Sequence, residues 1–219
     1  MITNDILVSI VVPVYNEEAD IAVTIDALLA IGYSRREIIV VDDGSTDNTL
    51  EIISRYESRE VTVIHQQKNQ GRCRARNLGI QASTGDIVVI LNADVMLPPD
   101  FLDRIITHYR SGADYVLIES HAVNTHRLFP RFLDAQSHYN YQSDDLIEWT
   151  EGYSCRRQAA LDVGLFPDGY PIPLCSGEDV VFGKLIARDY RKVVDRSIVV
   201  THVIPETFND YWNQQQERG

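Results

Sequence analysis

The chain has 219 residues and carries 20 Lys and Arg against 32 Asp and Glu, a formal charge of −12. Hydrophobic residues at 44% and charged residues at 24% fit one globular unit with a full-sized core, and exclude collagen-like, coiled-coil and disordered classes. The acidic excess argues against nucleic acid as a partner, because neutralising a phosphate backbone takes a cationic surface. A phosphate-bearing ligand must then be met by local dipoles, placed Arg residues or a bridging cation.

The N-terminal apolar run has no basic leader and is interrupted by Asp5 and Pro13, so it reads as a buried strand and not as a signal peptide. Four strand-plus-helix units follow one another: Ile6–Val12 with Ala19–Ala30, Ile38–Val41 with Thr49–Tyr56, Val61–His65 with Arg72–Ala82, and Asp86–Leu91 with Pro99–Tyr109. Near-continuous Val and Ile in the strands is what burial on both faces requires, which predicts a parallel sheet flanked by helices. Beyond Leu91 the pattern loosens. Expected there are a strand at Tyr115–Glu119, a helix within Leu128–Ile147, a short strand within Trp149–Cys155 and a short helix at Gln158–Gly164. A loop at Asp168–Gly177, a helix at Glu178–Arg188, strands at Lys192–Val194 and Ile198–His202, and a helical tail from Pro205 complete the reading. The expected class is α/β, a central mostly parallel sheet flanked by helices with a smaller antiparallel C-terminal part: one domain over 1–219, with a nucleotide-binding half to about 95 and an acceptor-binding, catalytic half from about 96. Cys73, Cys155 and Cys175 show no CxxC spacing, and no apolar run reaches the ~18–20 residues that span a bilayer. A cytoplasmic protein is expected, with association at the inner face of the membrane left open.

Ligands of a parallel sheet bind outside the carboxyl ends of its strands. Strand one ends in Pro13-Val14-Tyr15-Asn16-Glu17-Glu18, strand two in Asp42-Asp43-Gly44-Ser45-Thr46-Asp47 and strand four in Asn92-Ala93-Asp94. Ser45, Thr46 and Asp47 read best as helix caps. Adjacent carboxylates at Asp42 and Asp43 exceed what a cap needs. An acid such as Asp94, fixed at a strand end, suits a hard divalent cation shared with substrate phosphates, although a capped turn is the alternative.

Taken together, Val8–Glu18 (VSIVVPVYNEE), Ile38–Thr49 (IIVVDDGSTDNT), Asn69–Gly79 (NQGRCRARNLG) and Ile90–Pro99 (ILNADVMLPP) resemble the family 2 glycosyltransferases, which have the GT-A nucleotide-diphosphosugar fold. The resemblance implies an inverting enzyme that moves a sugar from a nucleotide donor, UDP-sugar by default, to a carbohydrate or lipid-linked acceptor, using Mg²⁺ or Mn²⁺. It implies that Pro13, Tyr15, Glu17 and Asp43 line the base and ribose, and that Gly71, Arg72 and Arg76 approach the donor. For Arg76 a helix-face salt bridge is the alternative. Asp94 matches the last acid of the family's DxD element and would hold the metal. The first position is Asn92 and not Asp; it would bind the nucleotide-sugar by a hydrogen bond to a ribose hydroxyl or a metal-bound water but brings no charge, so a weaker hold on the metal is the expected consequence.

Ser176-Gly177-Glu178-Asp179 resembles the family's acidic motif, with Asp179 matching the general base and Glu178 beside it on the acceptor side. The chemistry asks for such a group, since a sugar hydroxyl needs a carboxylate to take its proton as it attacks. First-turn acids that complement a helix dipole are the bland alternative. His202 matches a C-terminal histidine that is a further metal ligand in many GT-A enzymes. Glu151-Gly152-Tyr153-Ser154 resembles the loop that faces the acceptor through Gly152 and Tyr153. The other five His residues belong to no constellation in the sequence. The tail resembles the start of a region that continues toward the membrane in many relatives. Two rival readings stay open: a sugar-1-phosphate nucleotidyltransferase, and a nucleotide-sugar-binding module without catalysis.

Overall fold

The computed structural model describes residues 6–58, 60–140, 143–144, 147–168 and 177–217. In chain order these form β1 (Val8–Val14), α1 (Ile21–Leu29), β2 (Arg36–Asp42), α2 (Thr49–Ser54), β3 (Val61–His65), α3 (Arg72–Ala82), β4 (Ile87–Ile90) and α4 (Phe101–Arg110). The second part adds β5 (Tyr115–Ala122), α5 (Leu128–Asn140), β6 (Ser154–Arg156), α6 (Arg157–Asp162), α7 (Glu178–Asp189), β7 (Lys192–His202) and α8 (Phe208–Glu217). One seven-stranded sheet runs in the order β3-β2-β1-β4-β6-β5-β7. The pairs β1–β2, β2–β3, β1–β4 and β5–β7 are parallel, while β6 lies antiparallel between β4 and β5. The expected α/β architecture is therefore present, but of the C-terminal part expected to be antiparallel only β6 is so, since β5 and β7 pair in parallel.

Strand periodicity decides the layers, because alternate side chains point to opposite faces. Val8, Ile10 and Val12 of β1 join Ile21, Ile25 and Leu28 of α1 and Phe101, Leu102 and Ile105 of α4 in one buried cluster. Val11 joins the opposite cluster with Ile80 of α3, Phe182 and Ile186 of α7, and Phe166. Each such side chain contributes about 1.5–3 kcal/mol when fully buried, so a sheet covered on both faces needs no cross-link. Cys73 and Cys155 are accordingly buried free thiols, and Cys175 lies outside the described residues.

Several boundaries differ from the sequence reading. The strand expected within Trp149–Cys155 forms only at Ser154–Arg156, because Gly152, at φ +71°, turns the chain just before it. The two strands expected near the C-terminus are one, Lys192–His202. Ile118 faces Asp195 but Glu119 faces Val199, and the Asp195 carboxylate takes the Ser197 N–H at 2.9 Å, folding the extra residues into a bulge. Helix α5 ends at Asn140, and α8 sets Phe208 and Tyr211 edge-on to Phe129 of α5 at 6.1 and 5.9 Å. Of the loop expected at Asp168–Gly177, residues 169–176 lie outside the described residues. Among the described residues no helix is long and apolar enough to cross a membrane.

Candidate active site

Strands β1, β2 and β4 are parallel neighbours, so their carboxyl ends open on one edge. There the loops after β1 and β2 are laced together. Asn16, in the left-handed region at φ +55°, donates its N–H to the Ser45 hydroxyl at 3.0 Å and accepts the Thr46 N–H at 2.8 Å. Thr49 Oγ1 accepts the Glu17 N–H at 2.8 Å, and Asp47 takes the Thr49 N–H at 2.9 Å at the start of α2. Asp47, one residue before the N-cap Asn48, thus takes the first N–H of α2 without being its cap, and Ser45 and Thr46 bind Asn16 of the neighbouring loop.

The adjacent carboxylates divide their work. Asp42 is fully buried and bonds His65 Nδ1 of β3 at 2.7 Å and the Ser45 N–H at 3.2 Å. Asp43 accepts Gln66 Nε2 at 2.7 Å and the Gln70 and Gly71 N–H groups at 2.8 Å each. Burial leaves the Asp43 carboxyl pKa raised, although the two backbone donors oppose it. Asp43 therefore clamps the β3–α3 loop, presenting Gly71 and the first turn of α3 to the strand edge. Gln66 escaped the sequence reading, although it stands directly after β3, where the same strand-end rule would have found it.

Between these loops lies a cleft of about 620 Å³. Pro13, Tyr15, Glu17, Asp43, Gly71, Arg72 and Asn92 all line it. Arg76, Asp94, Glu178 and Asp179 are not part of that lining.

Arg76 lies behind the cleft, 3% exposed. Its Nη1 donates to Glu178 Oε1 at 3.0 Å and Asp179 Oδ1 at 2.9 Å, and its guanidinium stacks 5.2 Å over the Phe166 ring. It makes the ion pair that was its alternative reading, in the interior and not on an open helix face. Tyr153, expected on the acceptor side, is also buried, and its hydroxyl donates to Asp179 Oδ1 at 3.1 Å. Burial pushes the Glu178 carboxyl pKa up, the Asp179 charge adds to that, and Arg72 and Arg76 oppose it. Burial alone would lower the Arg76 pKa; Asp179 foremost among the neighbouring groups turns the net shift upward. Both acids begin α7, whose N-terminal dipole favours negative charge. Arg72 ties this buried group to the cleft, since it lines the cleft and places Nε 3.3 Å from Glu178 Oε1.

A second cleft of about 590 Å³ holds Glu119, Asp134, Trp149, Glu151, Arg196 and His202 in its lining. The two clefts meet where Asn92 Nδ2 donates to Glu151 Oε2 at 2.7 Å. Gly152 follows, and a Cβ there would stand 3.3 Å from Ile118 Cδ1, on a backbone at φ +71° that L side chains rarely adopt. Asp94 comes beside His202 because Met96 and Thr201 pair in an antiparallel bridge, with N···O distances of 2.8 and 3.1 Å. Burial lowers the His202 pKa, against the Asp94 charge that raises it. The Asp94 carboxylate suits a hard cation such as Mg²⁺ or Mn²⁺, and a nitrogen donor from His202 fits Mn²⁺ better than Mg²⁺.

Two histidines assigned to no constellation do form one. Glu119, His121 and His138 each bring a ligand atom within 4.8 Å of the others. His138 Nδ1 donates to the Asp134 carbonyl at 2.7 Å, leaving Nε2 3.2 Å from Glu119 Oε1. The His121 and His138 rings stack at 4.6 Å and 16°; parallel rings do not both aim a lone pair at one ion, so one must turn before they share a cation. Arg196 Nη1, 3.0 Å from Glu119 Oε2, already balances that carboxylate. Only the pairing of Glu119 and His121 on one face of β5 is visible in local sequence.

The family model described as Glycosyl transferase family 2 matches residues 9–168. The undecaprenyl-phosphate 4-deoxy-4-formamido-L-arabinose transferase of Pectobacterium carotovorum is 37% identical over 116 residues, covering 50% of this chain and 35% of that protein. The poly-beta-1,6-N-acetyl-D-glucosamine synthase of Staphylococcus aureus is 25% identical over 223 aligned residues, covering 92% and 51%. The chain thus spans about a third to a half of the length of these relatives. Among solved structures, S. aureus TarS in complex with UDP-GlcNAc superposes with a TM-score of 0.77 at 22% identity, over 94% of this chain and 60% of that one. The mannosyltransferase PcManGT from Pyrobaculum calidifontis, in complex with GDP-Man and Mn²⁺, gives 0.77 at 22%, over 98% and 61%. These neighbours share the GT-A fold with the sheet and helices described above. The family match over most of the chain and the shared fold lead to one conclusion: this chain belongs to glycosyl transferase family 2.

Proposed function

We propose that the chain is the catalytic unit of an inverting glycosyltransferase, taking a sugar from a nucleoside diphosphate donor to an acceptor hydroxyl. The observation that carries this reading is the single cleft at the joined ends of β1, β2 and β4, lined by Pro13, Tyr15, Glu17, Asp43, Gly71, Arg72 and Asn92. Arg72 and the N–H groups opening α3 supply positive potential for a diphosphate, which the overall charge of −12 does not. The nucleotide-sugar complexes of TarS and PcManGT support a ligand of that class, uridine-based in one and guanosine-based in the other.

Asp179 takes the proton of the acceptor hydroxyl as its oxygen attacks the anomeric carbon. The bond from that carbon to the diphosphate breaks on the opposite side, and the diphosphate departs with the electron pair. Arg76 and Tyr153 hold the Asp179 carboxylate in one orientation. Asp94 and His202 would hold the divalent cation, whose charge stabilises the leaving diphosphate when it is bound. The second cleft, with Trp149 beside Glu151, is the reading for the acceptor; Asp179 lines neither cleft, so its part as the base requires acceptor binding to open a way to its carboxylate. A lipid-linked acceptor, with association at the inner face of a membrane, stays within the proposal; the name of the Pectobacterium relative supports the lipid, although undecaprenyl-phosphate offers a phosphate oxygen and not a hydroxyl.

Thermal-shift titration with UDP and GDP, with and without Mn²⁺, tests the reading, because a ligand at about 100 times its Kd adds ~2.7 kcal/mol to apparent stability. At ~2–4 °C per kcal/mol for a chain of this size, a rise of several degrees is expected. A flat response to every nucleoside diphosphate, with and without the metal, would sink the proposal.

A further inference from the structure

The departure of Asn92 from the expected acid is answered by a residue 59 positions away. Glu151 Oε2 accepts from Asn92 Nδ2 at 2.7 Å. A carboxylate only accepts, so the amide nitrogen must face it and the amide oxygen must turn away. Asn92 itself lines the nucleotide cleft, and Glu151 shares the second cleft with His202. What one Asp would supply is divided here between two side chains: Asn92 offers an oxygen, and Glu151 stands behind it with the charge.

We infer that Glu151 is the positioning residue of the metal and diphosphate site, restoring through Asn92 the negative charge that position 92 lacks. The inference rests on the glycosyltransferase reading above and adds a residue to it. A carboxylate one hydrogen bond behind a ligand fixes the ligand's orientation and raises its basicity, and losing such a partner typically costs about 10–100-fold in metal affinity.

The test is a charge exchange read on the whole chain by Mn²⁺ titration, following the electron paramagnetic resonance signal of the free ion in the presence of saturating UDP, with GDP in parallel. E151Q should weaken Mn²⁺ binding by about tenfold or more. The double variant N92D/E151Q, which moves the charge back to position 92, should return it to near the native value. A purely structural role for Glu151 would not be rescued in this way. Native-like binding by E151Q, or a double variant as weak as E151Q, overturns the inference while leaving the glycosyltransferase reading intact. A native chain that binds no Mn²⁺ with either nucleotide overturns the metal reading, and the inference with it. If E151Q folds poorly, N92D alone serves: it sets two carboxylates against each other, so added Mn²⁺ should raise its melting temperature more than that of the native chain. An equal rise would count against the inference.

Discussion

Arg76 Nη1 and Asp179 Oδ1 lie 2.9 Å apart in buried ground between α3 and α7, joining residues 103 positions apart. The same nitrogen reaches Glu178 Oε1 at 3.0 Å. One cation thus holds two neighbouring carboxylates that are 1% and 6% exposed. Removing it as R76Q leaves those charges in the interior, at an expected cost of about 3–5 kcal/mol in urea unfolding. The pH dependence has a definite sign. The folded pKa of Glu178 is raised by burial, so its protonated form favours the fold at low pH, and that contribution is lost as pH rises toward the folded pKa. Without Arg76 the loss deepens. R76Q should therefore fall further below the native chain at about pH 8 than at about pH 5. A difference that is flat across this range would mean the carboxylates find other partners.

Asp179→Asn keeps the shape of the side chain and one oxygen for Arg76 and Tyr153, but cannot take a proton. Turnover should fall by about 10²–10⁴-fold, while affinity for a nucleoside diphosphate, measured by calorimetry, stays within about threefold of native. Near-native turnover would remove Asp179 from the base role.

The first half of the chain was legible because its strands, such as Val8–Val14 and Ile38–Val41, write two-sided burial directly into runs of Val and Ile. Three strand ends hold five of the residues that share one cleft, Pro13, Tyr15, Glu17, Asp43 and Asn92, and the family resemblance added Gly71 and Arg72. What stayed hidden is long-range. β6 has three residues and no apolar run, and its antiparallel place between β4 and β5 is fixed only by its neighbours. The partners of Arg76 lie 102 and 103 positions away, and that of Asn92 59, so no local spacing announces them. Tyr153 looked like a loop residue open to an acceptor, yet its ring packs edge-on to Tyr115 at 5.9 Å and its hydroxyl serves Asp179.

Asp43 carries three donors on one carboxylate: Gln66 Nε2, the Gln70 N–H and the Gly71 N–H. In Asp43→Asn one oxygen becomes an NH₂ group that faces donors and leaves at least one of them unmet. A buried unsatisfied donor costs about 1–3 kcal/mol, read as a lower urea midpoint. Because these bonds hold the loop that brings Gly71 and Arg72 to the cleft, UDP or GDP affinity should fall by at least about tenfold as well. A loss of stability with unchanged nucleotide affinity would show that the loop keeps its place without the clamp.

Gly79 tests how closely α3 must approach the sheet that carries the cleft. A Cβ at this position would stand 2.2 Å from Val11 Cγ1 of β1, and both residues are buried. G79A should therefore force helix and strand apart, at about 1–3 kcal/mol for an overpacked core. V11A removes the obstructing methyl groups and alone costs stability through the cavity it leaves. The two changes fill each other's space, so the double variant G79A/V11A should be more stable than the sum of the singles predicts, by about 0.5–3 kcal/mol in a urea double-mutant cycle. The single variant should also weaken UDP binding, because α3 begins with Arg72 at the cleft, and the double variant should recover it. Additive losses in stability would mean that α3 shifts as a body to accept the methyl group, and that the contact between Gly79 and Val11 does not set the position of the nucleotide loop.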